Sequence, residues 1–263
     1  MIKGLDRQFC VGPLTVNVYE TRELLGSNAA REAAGYIQET IRNRGKARVI
    51  FAAADSQLDM VANLTAMPGI DWNSVEAFHM DEYVGLSTSH PGSFGGWLKH
   101  NVVDKVHPAK VHYLAGDARN IGAECRRYAE LLSSAPIDVC FLGIGENGHI
   151  GFNDPHEADF SDLHVVKVVT LDERCRLQQV REGHWPNLSR VPTAGITITC
   201  PALVNATHIV CCVPGPQKAE AVRNALEGPL ATVCPASLIR THPDARLNLD
   251  LESASLLSRS DLV

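Results

Sequence analysis

The chain has 263 residues, with Lys+Arg 24 against Asp+Glu 30 and a formal net charge of -6, so it offers no basic field for nucleic acid or an anionic membrane surface. It is long enough to bury roughly three quarters of its unfolded surface around one core, and no apolar run reaches the roughly 18 residues of a membrane span. Met1 to Arg7 lacks the apolar core of a secretory signal, which makes a cytoplasmic protein the expectation and thiols the expected state of its eight cysteines.

In chain order, strands are expected at 14–19, 47–52, 74–79, 137–143, 165–169, 194–199, 208–213 and 246–250, each an apolar run bounded by polar or turn residues. Helical spacing places Ala30, Ala33, Ile37 and Ile41 on one buried face, and the charged stretch 118–133 reads as another helix. Alternation of this kind predicts an α/β fold: a mostly parallel, open, Rossmann-like sheet with helices on both faces. No repeat, low-complexity tract or linker divides it, so a single domain over residues 1–263 is expected. The stretch 154–192 is the least regular, and Gly183-His184-Trp185-Pro186 is a candidate lid.

Open α/β sheets bind ligands beyond the carboxyl ends of their strands, and two polar clusters fall there. Behind the strand 137–143, the segment Leu142-Gly143-Ile144-Gly145-Glu146-Asn147-Gly148-His149-Ile150-Gly151-Phe152-Asn153-Asp154-Pro155 combines four glycines, a histidine and two carboxylates. Backbone N–H groups at Gly143 and Gly151 can approach a ligand closely, and His149 can carry a proton near neutral pH. Behind the strand 74–79 come Asp81 and Glu82; adjacent residues of an extended segment face opposite ways, so one acid faces the pocket, and Asp81 is the choice. A third strand end leads into Pro216-Gln217-Lys218, where a lysine at a helix start conflicts with the helix dipole unless an anion binds there.

Phe78-His79-Met80-Asp81-Glu82-Tyr83-Val84-Gly85-Leu86, His90-Pro91-Gly92-Ser93-Phe94 and the 142–155 segment resemble the glucosamine-6-phosphate deaminase (isomerase) family. The likeness continues through 191–197, 217–222 and 234–238, in the same order along the chain. It implies aldose–ketose isomerisation coupled to loss of an amine as ammonia, with no metal or other cofactor; eleven histidines without any HExxH-type grouping are consistent with that. By the resemblance, Asp81 is the base that moves a proton between C1 and C2, His149 opens the sugar ring, and Asn147 and Asp154 orient and tune it. The implied partner is a small-molecule sugar phosphate; neither nucleic acid nor membrane is expected, and a homo-oligomer is left open.

The chain departs from the family at three places. Asp154 stands where Glu is frequent, and Asn147 where some members have Asp. The Thr-Gly-Gly-Thr type loop that holds the sugar phosphate is replaced by Ala53-Ala54-Asp55-Ser56-Gln57, and the stretch 174–186 gives no clear match for the family's phosphate-binding arginine. Phosphate is then expected on Lys218, its helix start and Ser56, with Asp55 repulsive unless it points away. Two other readings stay open, a non-catalytic sugar-phosphate-binding or regulatory protein and a lactonase of the same fold. Retention of Asp81, His149 and Asp154 favours the enzyme, since a binder needs no proton shuttle.

Overall fold

The computed structural model describes residues 2–258. Strands β1 (Leu5–Val11) and β2 (Leu14–Tyr19) lead into α1 (Arg22–Arg44), followed by β3 (Ala47–Phe51), α2 (Leu58–Ala66), β4 (Val75–His79) and β5 (Asp81–Tyr83). A helical run, α3 (Phe94–Leu98), passes through a π-turn at Lys99–Val103 into α4 (Asp104–Val106). Next come β6 (Lys110–His112), α5 (Ile121–Ser133), β7 (Val139–Leu142), β8 (Val166–Thr170) and α6 (Glu173–Arg181). The chain ends its ordered elements with β9 (Ala194–Ile198), α7 (Cys200–Val204), β10 (His208–Val213), α8 (Ala219–Glu227) and β11 (Ala245–Asp250).

The main sheet has the order β1-β2-β11-β10-β7-β3-β4-β6 and is parallel except for the β1–β2 hairpin. Its strands between the edge strands β1 and β6 are largely buried on both faces, which explains their continuous apolar runs. On β7, Val139 and Phe141 pack to one side with α1 and α2, while Cys140 and Leu142 pack to the other with α5, α7 and α8. Local chemistry fixes the helix limits. The Thr21 hydroxyl accepts from Leu24 N at the start of α1, and Gly45 closes its end at φ 77°; at α5 the Asn120 side chain accepts from Ala123 N.

Several expectations need correction. The strands 165–169 and 194–199 do not extend the parallel sheet; as β8 and β9 they form a separate antiparallel sheet in the order β5-β9-β8. Three strands were unforeseen. β1 is half exposed and carries charge at Asp6 and Arg7, while β5 and β6 have three residues each, too short to show a period. The stretch 154–192 also contains α6, an N-capped helix with Asp172 accepting from Arg174 N.

What matters for function is the sheet order. From β3 the chain moves outward through β4 to β6, and from β7 outward the other way through β10 to β11. The reversal lies between β3 and β7, so the loops after these strands part there and leave a crevice.

Candidate active site

One cleft occupies that crevice. It is lined by Ala52, Ala53, Ala54 and Ser56 after β3, by Met80 and Asp81 after β4, by Gly143, Gly145, His149 and Gly151 after β7, and by Lys218 after β10. Cys175, Gln178, Gln179 and Glu182 of α6 and its end close the remaining side. The structure therefore brings Asp81, His149, Ser56, Gly143, Gly151 and Lys218 together in one cleft. Asn147 and Asp154 stand behind His149 rather than in the lining.

Asp81 and Glu82 divide as adjacent strand residues must. Asp81 faces the cleft, and its carboxylate has no hydrogen-bond partner among the described residues. Glu82 turns into the protein, fully buried, and accepts from the Ser93 hydroxyl at 2.6 Å and from the N–H groups of Tyr83, Phe94 and Gly95. It thereby fixes the start of α3. Burial pushes the Asp81 carboxyl well above the usual carboxylate range, and the charge of Glu82 adds to that. A group so placed takes up a proton more readily than a solvated aspartate.

Behind Asp81 stands His79, a residue the sequence reading passed over as part of a strand. Leu114 N donates to its Nε2 at 2.8 Å, so Nδ1 carries the hydrogen and donates to the Asp81 carbonyl at 3.0 Å. Burial lowers the pKa of His79 to about 4. A neutral imidazole is thus built in as a fixed support for the backbone of Asp81.

His149 is positioned from two directions. Its backbone N–H donates to Asn147 Oδ1 at 3.1 Å, and Asn147 Nδ2 donates to Asp154 Oδ1 at 2.8 Å. The ring Nδ1 lies 3.1 Å from Asp154 Oδ1, but at an angle that makes the contact electrostatic rather than an aligned hydrogen bond. Asn147 therefore acts through the backbone and Asp154, not on the imidazole itself. Burial works against ionisation of Asp154, yet its contacts with His149, Asn147 and Asp172 N outweigh burial and hold the carboxyl below its usual range. Gly145 leaves room for the ring, since a Cβ there would meet it at 2.2–2.4 Å. At Gly151 the need for glycine is conformational: φ is +55°, and a Cβ would meet Thr197 Oγ1 at 2.9 Å.

Lys218 closes the short 3₁₀ turn Pro216–Lys218 that leads into α8. It is 4 % exposed, and its side chain has no ion pair or hydrogen bond among the described residues. Burial lowers its pKa, offset in part by the charges of Glu182 and Glu146. An ammonium in this position is unfavourable without an anion. The altered loop after β3 is held by buried Gln57, whose Nε2 donates to Leu142 O and Cys212 O at the ends of β7 and β10. Asp55 does not line the cleft; it faces His184. No arginine of the stretch 174–186 lines the cleft. Arg176 is committed to the carbonyls of Leu188 and Val191, and Arg181 pairs with Glu146. The candidate lid is packed on the rim, with Trp185 stacked on His90 and edge-on to Tyr83.

Among the described residues, two groups of side chains have metal-ligand composition. In His149, Asp154 and Cys175, the carboxylate is already engaged and burial pushes the Cys175 thiol up. The second, Asp55, Glu182 and His184, lies at the rim.

The family model for glucosamine-6-phosphate isomerases and 6-phosphogluconolactonases matches residues 20–247. The chain belongs to this family. Within it, the chain is 35% identical over 239 residues to a glucosamine-6-phosphate deaminase of Thermoanaerobacter pseudethanolicus, covering 89% of this chain and 92% of that one. It is 32% identical over 250 residues to the deaminase of Bacillus cytotoxicus, covering 94% and 90%. Among solved structures it resembles a monomeric glucosamine-6-phosphate deaminase, with TM-score 0.84, 31% identity and coverage of 92% and 99%. A 6-phosphogluconolactonase of Shewanella baltica shares the fold, with TM-score 0.74 and 20% identity over 94% and 99% of the two chains.

Proposed function

We infer that this family member isomerises and deaminates a 2-amino sugar phosphate, taking glucosamine 6-phosphate and water to fructose 6-phosphate and ammonia. The observation that carries this reading is the pairing, in one cleft, of an unpartnered buried carboxylate of raised proton affinity with a histidine backed by an ionised carboxylate. His149 exchanges the proton needed to open the ring, and Asp154 steadies the imidazole when it is charged. Asp81 then removes the proton from C2 of the open-chain sugar and returns it at C1. The C2–N bond becomes an imine, which water hydrolyses to the ketone with release of ammonia. Positioned proton carriers of this kind each contribute about 10²–10⁴-fold. Lys218 is the cation for the phosphate.

Ammonia release from glucosamine 6-phosphate, measured together with exchange of the C2 hydrogen in deuterated water, tests the reading. Exchange and ammonia are both expected. Absence of both, with a phosphorylated lactone hydrolysed instead, would overturn it.

A further inference from the structure

Glu182 lines the same cleft as Lys218 and Ser56, although nothing local favours an acid there. It closes the end of α6, with its N–H donating to Gln178 O, and a carboxylate at the end of a helix opposes the helix dipole. The side chain is nevertheless held in place. Gln178 Nε2 donates to Oε1 at 2.7 Å and Gln179 Nε2 to Oε2 at 3.4 Å, while Gln178 Oε1 is itself fixed by Glu146 N at 3.1 Å. No Lys or Arg pairs with Glu182 among the described residues, and His184 Nε2, at 3.9 Å, already serves Asp55 at 3.2 Å.

The charges at this end of the cleft sort into pairs except for two. Asp55 and His184 form an ion pair when the imidazole is charged, a state their contact favours, and Arg181 pairs with Glu146. What is left is Lys218, more than nine-tenths buried with an unpartnered side chain, and Glu182, which acts on it more strongly than any other charge nearby. Lys218 calls for an anion in the cleft. Ser56 adds a second donor, because its oxygen accepts from Gln57 Nε2 at 3.0 Å while its own hydrogen has no acceptor among the described residues. Glu182, when ionised, offers only lone pairs. The phosphate dianion of a sugar ester also offers only lone pairs, so the two repel. Its monoanion carries one P–OH, which a carboxylate accepts in a short, charge-assisted bond.

We propose that Glu182 is a specificity-determining residue that accepts the hydrogen of a protonated phosphate, so that the cleft takes its sugar phosphate as the monoanion, with Lys218 and Ser56 on the remaining oxygens. The identity of the sugar rests on the amino-sugar phosphate reading above, whereas the preference for a hydrogen-bearing anion stands on the residues of this end alone. One cation suffices for one negative charge, which is consistent with the absence of the family's glycine loop and of any arginine in the lining. An anion of similar size without a hydrogen, such as sulfate, leaves Glu182 facing acceptors only and is rejected. The other charged groups at this end, Asp55, His184, Glu146, Arg181 and Lys218, act on phosphate and sulfate alike when the two carry equal charge, so comparison of the two anions isolates the hydrogen.

The full chain is titrated by calorimetry with inorganic phosphate and with sulfate at pH 8, where both are dianions and only phosphate carries a hydrogen. Phosphate should bind at least about tenfold more tightly than sulfate, the worth of one hydrogen bond to a charged group. In E182Q that preference should vanish; the melting temperature of the variant checks that it is folded. Kinetics supply the second arm. A phosphate ester loses its last acidic hydrogen above a pKa of about 6, so kcat/KM for glucosamine 6-phosphate in E182Q, relative to wild type at the same pH, should rise about tenfold from pH 7 to pH 8. The titrations of Asp81 and His149 cancel in that ratio. Equal binding of phosphate and sulfate by the wild type, a preference that survives in folded E182Q, or a ratio that does not change with pH would each overturn the proposal. The calorimetric arm is independent of turnover. A phosphate preference that depends on Glu182, without ammonia release from glucosamine 6-phosphate, would instead refute the amino-sugar reading alone.

Discussion

Replacing Asp81 by Asn should abolish proton transfer and stabilise the protein at the same time. The Asp81 side chain is buried, has no hydrogen-bond partner among the described residues and sits beside a second carboxylate. Asparagine has the same shape without the charge. Loss of the base should slow C2 exchange by about 10²–10⁴-fold. For stability, the raised pKa means that the folded chain holds a proton that the unfolded chain releases as pH climbs past the ordinary carboxylate range. The stability of the wild type therefore falls with rising pH in that window, whereas that of Asp81→Asn does not. The asparagine amide is also unpaired there, so what the substitution relieves is the extra cost of burying a charge rather than a neutral polar group, on the order of 1–3 kcal/mol. At about 2–4 °C per kcal/mol for a chain near this size, the variant should melt about 2–12 °C higher at pH 8, with a smaller gain at pH 5. Calorimetry at both pH values and C2 exchange by NMR measure the two effects. A variant that keeps its exchange rate and melts no higher at pH 8 would refute both the role and the electrostatics.

Lys218→Met should lower kcat/KM for glucosamine 6-phosphate by about 10–100-fold, the worth of one hydrogen bond to a charged group. Thermal melting should show the variant more stable, because a buried ammonium has been replaced by an apolar chain of similar length. The folded pKa of His79, about 4, lies below its unfolded value of about 6.5; the unfolded chain gains a proton between these values that the folded chain refuses. Urea midpoints should therefore drop as pH falls from 7 to 5, and His79→Phe should flatten that slope while costing about 1–3 kcal/mol at pH 7 for the unpaired Leu114 N–H and Asp81 carbonyl. Gly145→Ala places a methyl on the imidazole ring and should cut kcat on the order of 10²-fold, which steady-state kinetics would detect.

The expected parallel strands were legible because burial on both faces leaves continuous apolar runs, as in Val139 to Leu142. Their carboxyl ends then located the cleft, and the opposed faces of Asp81 and Glu82 followed from strand geometry alone. What the sequence hid was long-range or short. The pairing direction of β8 and β9 depends on partners far along the chain, and β5 and β6 are too brief for a pattern. His79 looked like any strand residue because its function lies in hydrogen bonds to Leu114 N and the Asp81 carbonyl. The ion-pair group of Asp55, Glu182 and His184 was invisible for a related reason: its members lie far apart in sequence, and the fold joins the turn after β3 to the end of α6.

The cleft draws its two proposed proton carriers from different sheets. His149 follows β7 of the large sheet, whereas Asp81 begins β5 of the small one, which pairs with β9 and meets the large sheet through Met80 N to Phe51 O. A three-stranded antiparallel ribbon with one short edge can open at lower free energy than the eight-stranded core beside it. Enzymatic inactivation in mild urea should then precede the loss of far-ultraviolet circular dichroism, and a ligand spanning both walls should draw the two midpoints together.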